Sequence, residues 1–198
     1  MRESCDIVIA GGGMVGISLA LQLAEELPTG VSICLVEGFP FPQPLPGHRP
    51  DYHPSFDARS TALSYSSKLI YERLGLWQDL QQWLCPIDSI HGSSRGRFGS
   101  ARRCADDTDW PALGYVVENA WLGNALIQAL YRQGRVELRS PCKVSHASAS
   151  GDGVELTLEG EGGGRLCASL LVVADGAGSG LREVLGVAVN EKSYRQQA

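Results

Sequence analysis

Six residues, Gly11-Gly12-Gly13-Met14-Val15-Gly16, constrain this chain more than any other stretch. They match G-x-G-x-x-G and lie between two periodic segments. Before them, residues 5–10 (Cys-Asp-Ile-Val-Ile-Ala) form an apolar run bounded by glycine, the pattern of a parallel strand covered on both faces. After them, Val15, Leu19, Leu23 and Leu27, with Ala20 and Ala24 beside them, recur at helical spacing until Pro28 and Gly30 stop the helix. Residues 31–37 (Val-Ser-Ile-Cys-Leu-Val-Glu) then read as a second strand, giving a βαβ unit whose third strand is not in the local sequence.

Each glycine has a physical reason in a dinucleotide-binding turn. Gly11 permits a tight turn, Gly13 lets backbone approach a pyrophosphate, and Gly16 lets the helix pack close to the strand. The helix start at Met14 and Val15 presents unpaired N–H groups and a partial positive charge to phosphate. Glu37 lies 21 positions past Gly16, where a carboxylate can accept hydrogen bonds from ribose hydroxyls. An acid there disfavours a 2′-phosphate, so the unit is expected to hold FAD or NAD rather than NADP.

The rest of the chain continues in the same class. A proline-rich segment, residues 39–54, excludes helix and central strand and reads as a stiff connector or a flap near a ligand. Residues 60–83 carry a helical pattern through Leu63, Leu69, Ile70, Leu74, Leu76, Trp77, Leu80 and Trp83. Residues 87–99 look like a strand and a Gly-Arg turn, 113–118 a strand, and 121–133 a helix ended by Gly134. Strands are expected at 135–139, 142–147, 153–159 and 165–173, the last running into Asp175-Gly176. The fold class is α/β: a Rossmann-like FAD/NAD(P)-binding fold, a parallel sheet with helices plus a β-meander.

Composition excludes some functions. A net charge of −5 argues against a nucleic-acid binder. The six cysteines at 5, 34, 85, 104, 142 and 167 form no C-x-x-C pair, which weakens zinc and thioredoxin-like readings, and no signal peptide precedes Cys5. The expected location is a reducing cytoplasm, with at most a peripheral contact to the inner membrane, since no apolar run reaches the roughly 20 residues of a span. His48, His53, His91 and His146 lack metal-ligand spacing and read as surface or capping residues; no metal is expected. Trp77, Trp83, Trp110 and Trp121 read as core or domain-seam residues. Arg95, Arg97, Arg102 and Arg103 form a basic cluster, either a solvated hairpin or a site for an NADPH phosphate or an acidic partner.

Two later segments separate FAD from NAD through resemblance, and the middle of the chain sharpens it. Phe56-Asp57-Ala58-Arg59-Ser60-Thr61-Ala62-Leu63-Ser64 resembles the D-x-R-x-x-A-L segment of UbiH-type ubiquinone-biosynthesis hydroxylases, members of the p-hydroxybenzoate hydroxylase-like flavoproteins. Residues 172–182 (Val-Val-Ala-Asp-Gly-Ala-Gly-Ser-Gly-Leu-Arg) are similar to the Asp-Gly motif of that group. Ser93-Ser94-Arg95-Gly96-Arg97 and Ala112-Leu113-Gly114-Tyr115-Val116-Val117-Glu118 resemble its S-D-R-G and A-L-G-x-V-V-E stretches, with Ser94 where Asp is frequent.

The resemblance implies an FAD-dependent aromatic-ring hydroxylase, a monooxygenase using NAD(P)H as reductant and O₂. Its substrate would be a polyprenylated methoxyphenol of ubiquinone synthesis, with membrane or partner-protein delivery in a biosynthetic complex. It places Arg59 near the FAD pyrophosphate or ring, and Asp175 and Gly176 at the FAD and NAD(P)H sites. It sets Asn124 near a helix start facing the flavin and Val144 on a strand whose backbone contacts adenine. No catalytic acid or base is implied. Residues 1–75 and 113–185 would be the nucleotide-binding parts, and 76–112 an insertion contributing to a substrate-side sheet. Members of the group are longer and carry a second Gly-Asp motif absent here. The chain is therefore expected to be an incomplete FAD-binding domain, lacking the C-terminal half of the enzyme, that binds FAD weakly or not at all and does not turn over alone. Other readings are a prenyl reductase or halogenase of the same fold, or a non-catalytic scaffold.

Overall fold

An apolar strand must cover both faces before it is stable in a parallel sheet, and the first strand shows how this chain does so. The structure, a computed structural model, describes residues 3–43, 51–151, 153–190 and 192. Strand β1 (Glu3–Ala10) is followed by helix α1 (Met14–Glu26) and strand β2 (Ile33–Val36), all four residues of which are buried. β1 and β2 pair in parallel from Ile7↔Ile33 to Ala10↔Val36. Side-chain alternation splits them between two cores: Ile9, Ile33 and Leu35 face one side, Val8, Cys34 and Val36 the other.

The segment from residue 60 departs from its helical pattern. Ser60–Ser64 is strand β3, and only then does helix α2 (Tyr65–Arg73) begin, capped by the Ser64 hydroxyl accepting from the Ser67 amide. A short helix α3 (Trp77–Leu80) follows the positive-φ turn at Gly75. β3 is strand because β7 (Gly114–Glu118) supplies backbone partners from Ser60↔Glu118 to Ser64↔Gly114. That pairing overrides a local pattern that fits either structure. Between them come β4 (Cys85–Ile87), which pairs with β7, and the separate hairpin β5 (Ser89–Ser93) and β6 (Ser100–Cys104).

Helix α4 (Asn119–Gln133) packs beside α1, and its Leu122, Leu126, Ile127 and Leu130 fill the first core. Gly134 closes it in the left-handed conformation. Strand β8 (Val136–Arg139) then pairs in parallel with β2. Strands β9 (Cys142–Ser150), β10 (Gly153–Gly160) and β11 (Gly164–Val173) form an antiparallel meander, and helix α5 (Gly180–Val184) follows. β11 pairs in parallel with β1, so the sheet order is β8-β2-β1-β11-β10-β9. This is the parallel sheet with helices and meander that the sequence implied.

The far end of α1 is held by a residue more than a hundred positions away. The Arg135 guanidinium donates to the carbonyls of Ala24, Leu27, Pro28 and Val31. A helix end leaves four carbonyls without intrahelical partners, and a cation there also suits the helix dipole. Arg135 therefore fixes the axis whose opposite end faces the glycine turn.

Candidate functional site

The C-terminal ends of β1 and β2 and the start of α1 enclose a cleft of about 450 Å³. Ligands in open α/β sheets bind at this edge, where neighbouring strands leave in different directions. Its lining brings together residues from five parts of the chain: Gly11, Gly13, Met14 and Val15; Glu37 and Phe39; Ser55; Lys143 and Val144; Asp175 and Gly176. The amides at the start of α1 are open. Gly13 is the cap residue with no side-chain cap bond, the first turn holds no acid, and Val15 is 70% exposed.

The glycines divide by what surrounds them. A Cβ on Gly16 would lie 1.9 Å from the Gly11 carbonyl oxygen, and one on Gly12 2.4 Å from the Phe41 ring. Gly11, at φ +110°, would press 2.4 Å against the Ala174 carbonyl. These three are demanded by the protein's own packing. Gly13 is different: its Cβ would meet only Ser55, at 3.6 Å, ordinary contact. Nothing in the fold requires glycine there, and the space it leaves opens on the helix amides. A pyrophosphate fits this cradle, because a Cβ would fill it.

Glu37 follows β2 and turns back onto the glycine turn. Its Oε2 accepts from the Gly12 amide at 2.6 Å and its Oε1 from the Phe39 amide at 2.9 Å, with only 6% of the residue exposed. An ionised carboxylate has about four acceptor sites, so two amides leave room for ribose hydroxyls. Asp175 follows β11 and is exposed at the cleft, and Gly176 adopts φ +87°. Ser179 caps α5 by accepting from the Arg182 amide, so the Asp-Gly segment does run from a strand to a helix.

Three residues singled out in the sequence lie outside the lining: Gly16, packed against the Gly11 carbonyl behind the turn, Asn124 and Arg59. The helix start is Asn119, and Asn124 sits in the second turn of α4, half-buried. The buried polar group at that start is Asn119, whose Oδ1 accepts from Thr61 and whose Nδ2 donates to Asp57. Arg59 is on the surface, its side chain 75% exposed and its Nε donating to Asp57 at 2.7 Å. The amide of Arg59, followed by its guanidinium and the Asn119 amide, holds the Asp57 carboxyl below the usual carboxylate range.

His53 corrects a further expectation, since it is a core residue, 1% exposed. It stacks on Phe41 at 5.7 Å and touches Phe39 and Phe56, while its Nδ1 accepts from the Ser55 amide. This aromatic cluster backs the cleft wall through Phe39 and Ser55. The sequence hinted at it only through aromatics interleaved with prolines. Residues 44–50 of that segment, His48 among them, lie outside the described residues.

Burial pushes the His53 pKa down from 6.5, with Glu37 and the Phe39 carbonyl opposing. The folded state thus favours the neutral ring, and the unfolded chain binds more protons below that value. Its stabilising contribution is present above pH 6.5 and is lost as the pH falls from there through the lower folded value. His53→Phe is expected to flatten the acid limb of a melting temperature-versus-pH series in that window. An unchanged slope would assign the acid sensitivity elsewhere.

Comparisons with known proteins agree with this geometry. A family profile described as an FAD binding domain matches residues 4–198. The chain is 34% identical over 195 residues to 3-demethoxyubiquinol 3-hydroxylase of Escherichia coli, covering 98% of this chain and 47% of that protein. It is 31% identical over 193 residues to ubiquinone hydroxylase UbiL of Rhodospirillum rubrum, covering 98% and 42%. Among solved structures, p-nitrophenol 4-monooxygenase PnpA from Pseudomonas putida superimposes with a TM-score of 0.69 at 25% identity, over 93% of this chain and 44% of that one. The OxyS anhydrotetracycline hydroxylase from Streptomyces rimosus shares the fold, with a TM-score of 0.74 at 21% identity over 96% and 35%. The chain thus spans less than half the length of these curated relatives.

Proposed function

The chain belongs to the FAD-binding domain family, with ubiquinone hydroxylases among its relatives, and on that premise we propose that its cleft holds the ADP half of FAD in an aromatic-ring hydroxylase. The observation that carries this reading is Gly13, a glycine that the surrounding protein does not need, opening onto uncapped helix amides beside Glu37.

In this reading the amides of Met14 and Val15 receive the pyrophosphate, and Gly11 and Gly16 fix the turn that aims them. Glu37 accepts from the ribose, and its charge turns away a 2′-phosphorylated nucleotide. Val144, on β9, offers backbone beside the adenine. Asp175 and Gly176 close the cleft on the β11 side, and Arg59, paired with Asp57 among the described residues and 75% exposed, reaches toward the phosphates or ring in this reading. FAD, when bound, supplies the oxygen-activating redox chemistry, and NAD(P)H is the reductant proposed. The protein's share is to bind, orient and keep water out.

The proposed substrate is a polyprenylated methoxyphenol of ubiquinone synthesis, supported by the relatives' names, and membership of a biosynthetic complex goes with it. The division into nucleotide-binding parts, 1–75 and 113–185, and a substrate-side insertion, 76–112, is supported in part by the sheets. Strands β1, β2 and β8–β11 share one sheet and β5–β6 form a separate hairpin, while β4 joins β3 and β7 in a third sheet that spans the boundaries of the insertion. Among the described residues no helix is long and apolar enough to cross a membrane.

Calorimetric titration tests the site. ADP and FAD are both expected to bind, weakly and with similar affinities, because the cleft addresses the part they share. ADP carrying a 2′-phosphate is expected to bind about tenfold more weakly, or roughly 1.4 kcal/mol. Absence of binding by both ADP and FAD at millimolar concentration would overturn the reading.

A further inference from the structure

His53 is enclosed by these residues alone: it is 1% exposed, so its burial needs no further segment. Its ring neighbours are Phe39, Phe41 and Phe56. A phenylalanine would suit that company better, because His53 Nε2 has no hydrogen-bond partner among the described residues, and a buried unpaired donor destabilises. What a phenylalanine would lack is Nδ1, which accepts from the Ser55 amide at 3.2 Å. An imidazole that accepts at Nδ1 carries its single proton on Nε2, so the ring is neutral in this arrangement.

The neighbours of His53 lead to both sides of the glycine turn. Ser55 lines the cleft and faces Gly13. Phe39 lines it too, and its amide donates to Glu37. Phe41 stacks on the imidazole at 5.7 Å, and its ring in turn packs on Gly12, whose amide donates to the other oxygen of Glu37. Phe56 has no room to give way. Its ring is pressed against Gly123 of α4, where an added Cβ would fall 2.2 Å from it, and its amide closes a turn onto the His53 carbonyl at 2.9 Å. A change at His53 therefore passes toward the cleft, through Ser55, Phe39 and Phe41.

We propose that His53 is a positioning residue of the nucleotide site: the neutral ring holds Ser55, Phe39 and Phe41 where the cleft needs them, and taking up a proton releases them and weakens nucleotide binding. A proton on Nδ1 would point at the hydrogen already on the Ser55 amide, so that bond is lost and Ser55 turns away. The new charge would also sit in an apolar enclosure. Glu37 and the Phe39 carbonyl favour the charged ring, and burial outweighs them. Phe39, Phe41 and Phe56, the side chains packed on the ring, do not titrate. Binding requires the arrangement of the neutral ring, so binding and protonation oppose each other. That a nucleotide occupies the cleft is the reading above, on which this proposal rests; the path from His53 to Ser55 and Gly12 does not depend on it.

Calorimetric titration of FAD into the 198-residue chain across a pH series tests this. FAD is the probe because its pyrophosphate has no ionisation in the window, whereas a terminal phosphate such as that of ADP has its second pKa near about 6. Affinity is expected to hold above pH 6.5 and to fall below it, by about fivefold at about pH 5 and by no more than about tenfold per pH unit, the limit for one linked proton. His53→Phe keeps the packing and loses the acceptor. It should bind about threefold more weakly at about pH 7.5 and show no fall from there to about pH 5. His53→Asn returns an acceptor for the Ser55 amide without a titrating group, so it should recover affinity at neutral pH and stay flat below. Circular dichroism at each pH separates loss of binding from loss of fold. A fall of equal size in His53→Phe, or an affinity that rises on acidification, would overturn the proposal and leave the nucleotide site standing. Absence of FAD binding at every pH would overturn both.

Discussion

Gly13→Ala is expected to leave the chain folded and to weaken ADP and FAD binding by about a hundredfold, the equivalent of roughly 3 kcal/mol. Gly13 has φ −76°, a conformation alanine adopts freely, and the added Cβ meets Ser55 at 3.6 Å without strain. The methyl group instead occupies the space in front of the helix amides, where phosphate oxygens must approach. Gly16→Ala is expected to do the opposite. Its Cβ would overlap the Gly11 carbonyl oxygen at 1.9 Å, backbone against backbone, which no rotamer relieves. Such a clash belongs with the rare substitutions that cost about 4–5 kcal/mol or more, a large part of a typical total of about 5–15 kcal/mol. Thermal melts and calorimetry on the two variants separate the roles. A Gly13→Ala chain that binds ADP like the parent would remove the cleft as the nucleotide site.

Glu37→Ala carries the second large expectation. The carboxylate holds two amides, those of Gly12 and Phe39, and alanine leaves both donors without it. An unsatisfied buried donor costs about 1–3 kcal/mol, so a loss of about 3 kcal/mol, with a fall in Tm of about 6–12 °C, is expected. ADP affinity should fall as well, since the turn loses its brace and the ribose its acceptor. Glu37→Gln separates these effects. It keeps an acceptor for one amide and removes the charge, so it should recover part of the stability. It should also narrow the preference for ADP over its 2′-phosphorylated form. If Glu37→Ala changes ADP affinity less than twofold while the chain stays folded, the ribose role falls.

Much of the cleft could be read locally. The apolar run of β1, the glycine turn and the period of α1 each lie within one element, and the span to Glu37 follows from the length of one helix and one strand. The strands of the meander were legible to within a few residues for the same reason. β3 was not, because Ser60–Ser64 becomes strand only when β7 supplies its backbone partners from fifty or more residues away. Asn124 was set near a helix start expected at 121, whereas α4 begins at Asn119 directly after β7, which puts Asn124 in its second turn. His53 looked like a surface residue, because the aromatic rings that bury it are separated from it by prolines in the chain.

The sequence by itself determined the turn, the helix that follows it and the acid that answers it, because glycine sterics and side-chain period act between neighbours. Only the tertiary structure decided that β11 and β8 flank β1 and β2, that Lys143 joins the wall of the cleft, and that Arg135 anchors the far end of α1. Those relations are made by backbone groups and by a guanidinium bonding carbonyls. Every residue carries such a carbonyl, so nothing in its identity announces which distant partner it will meet.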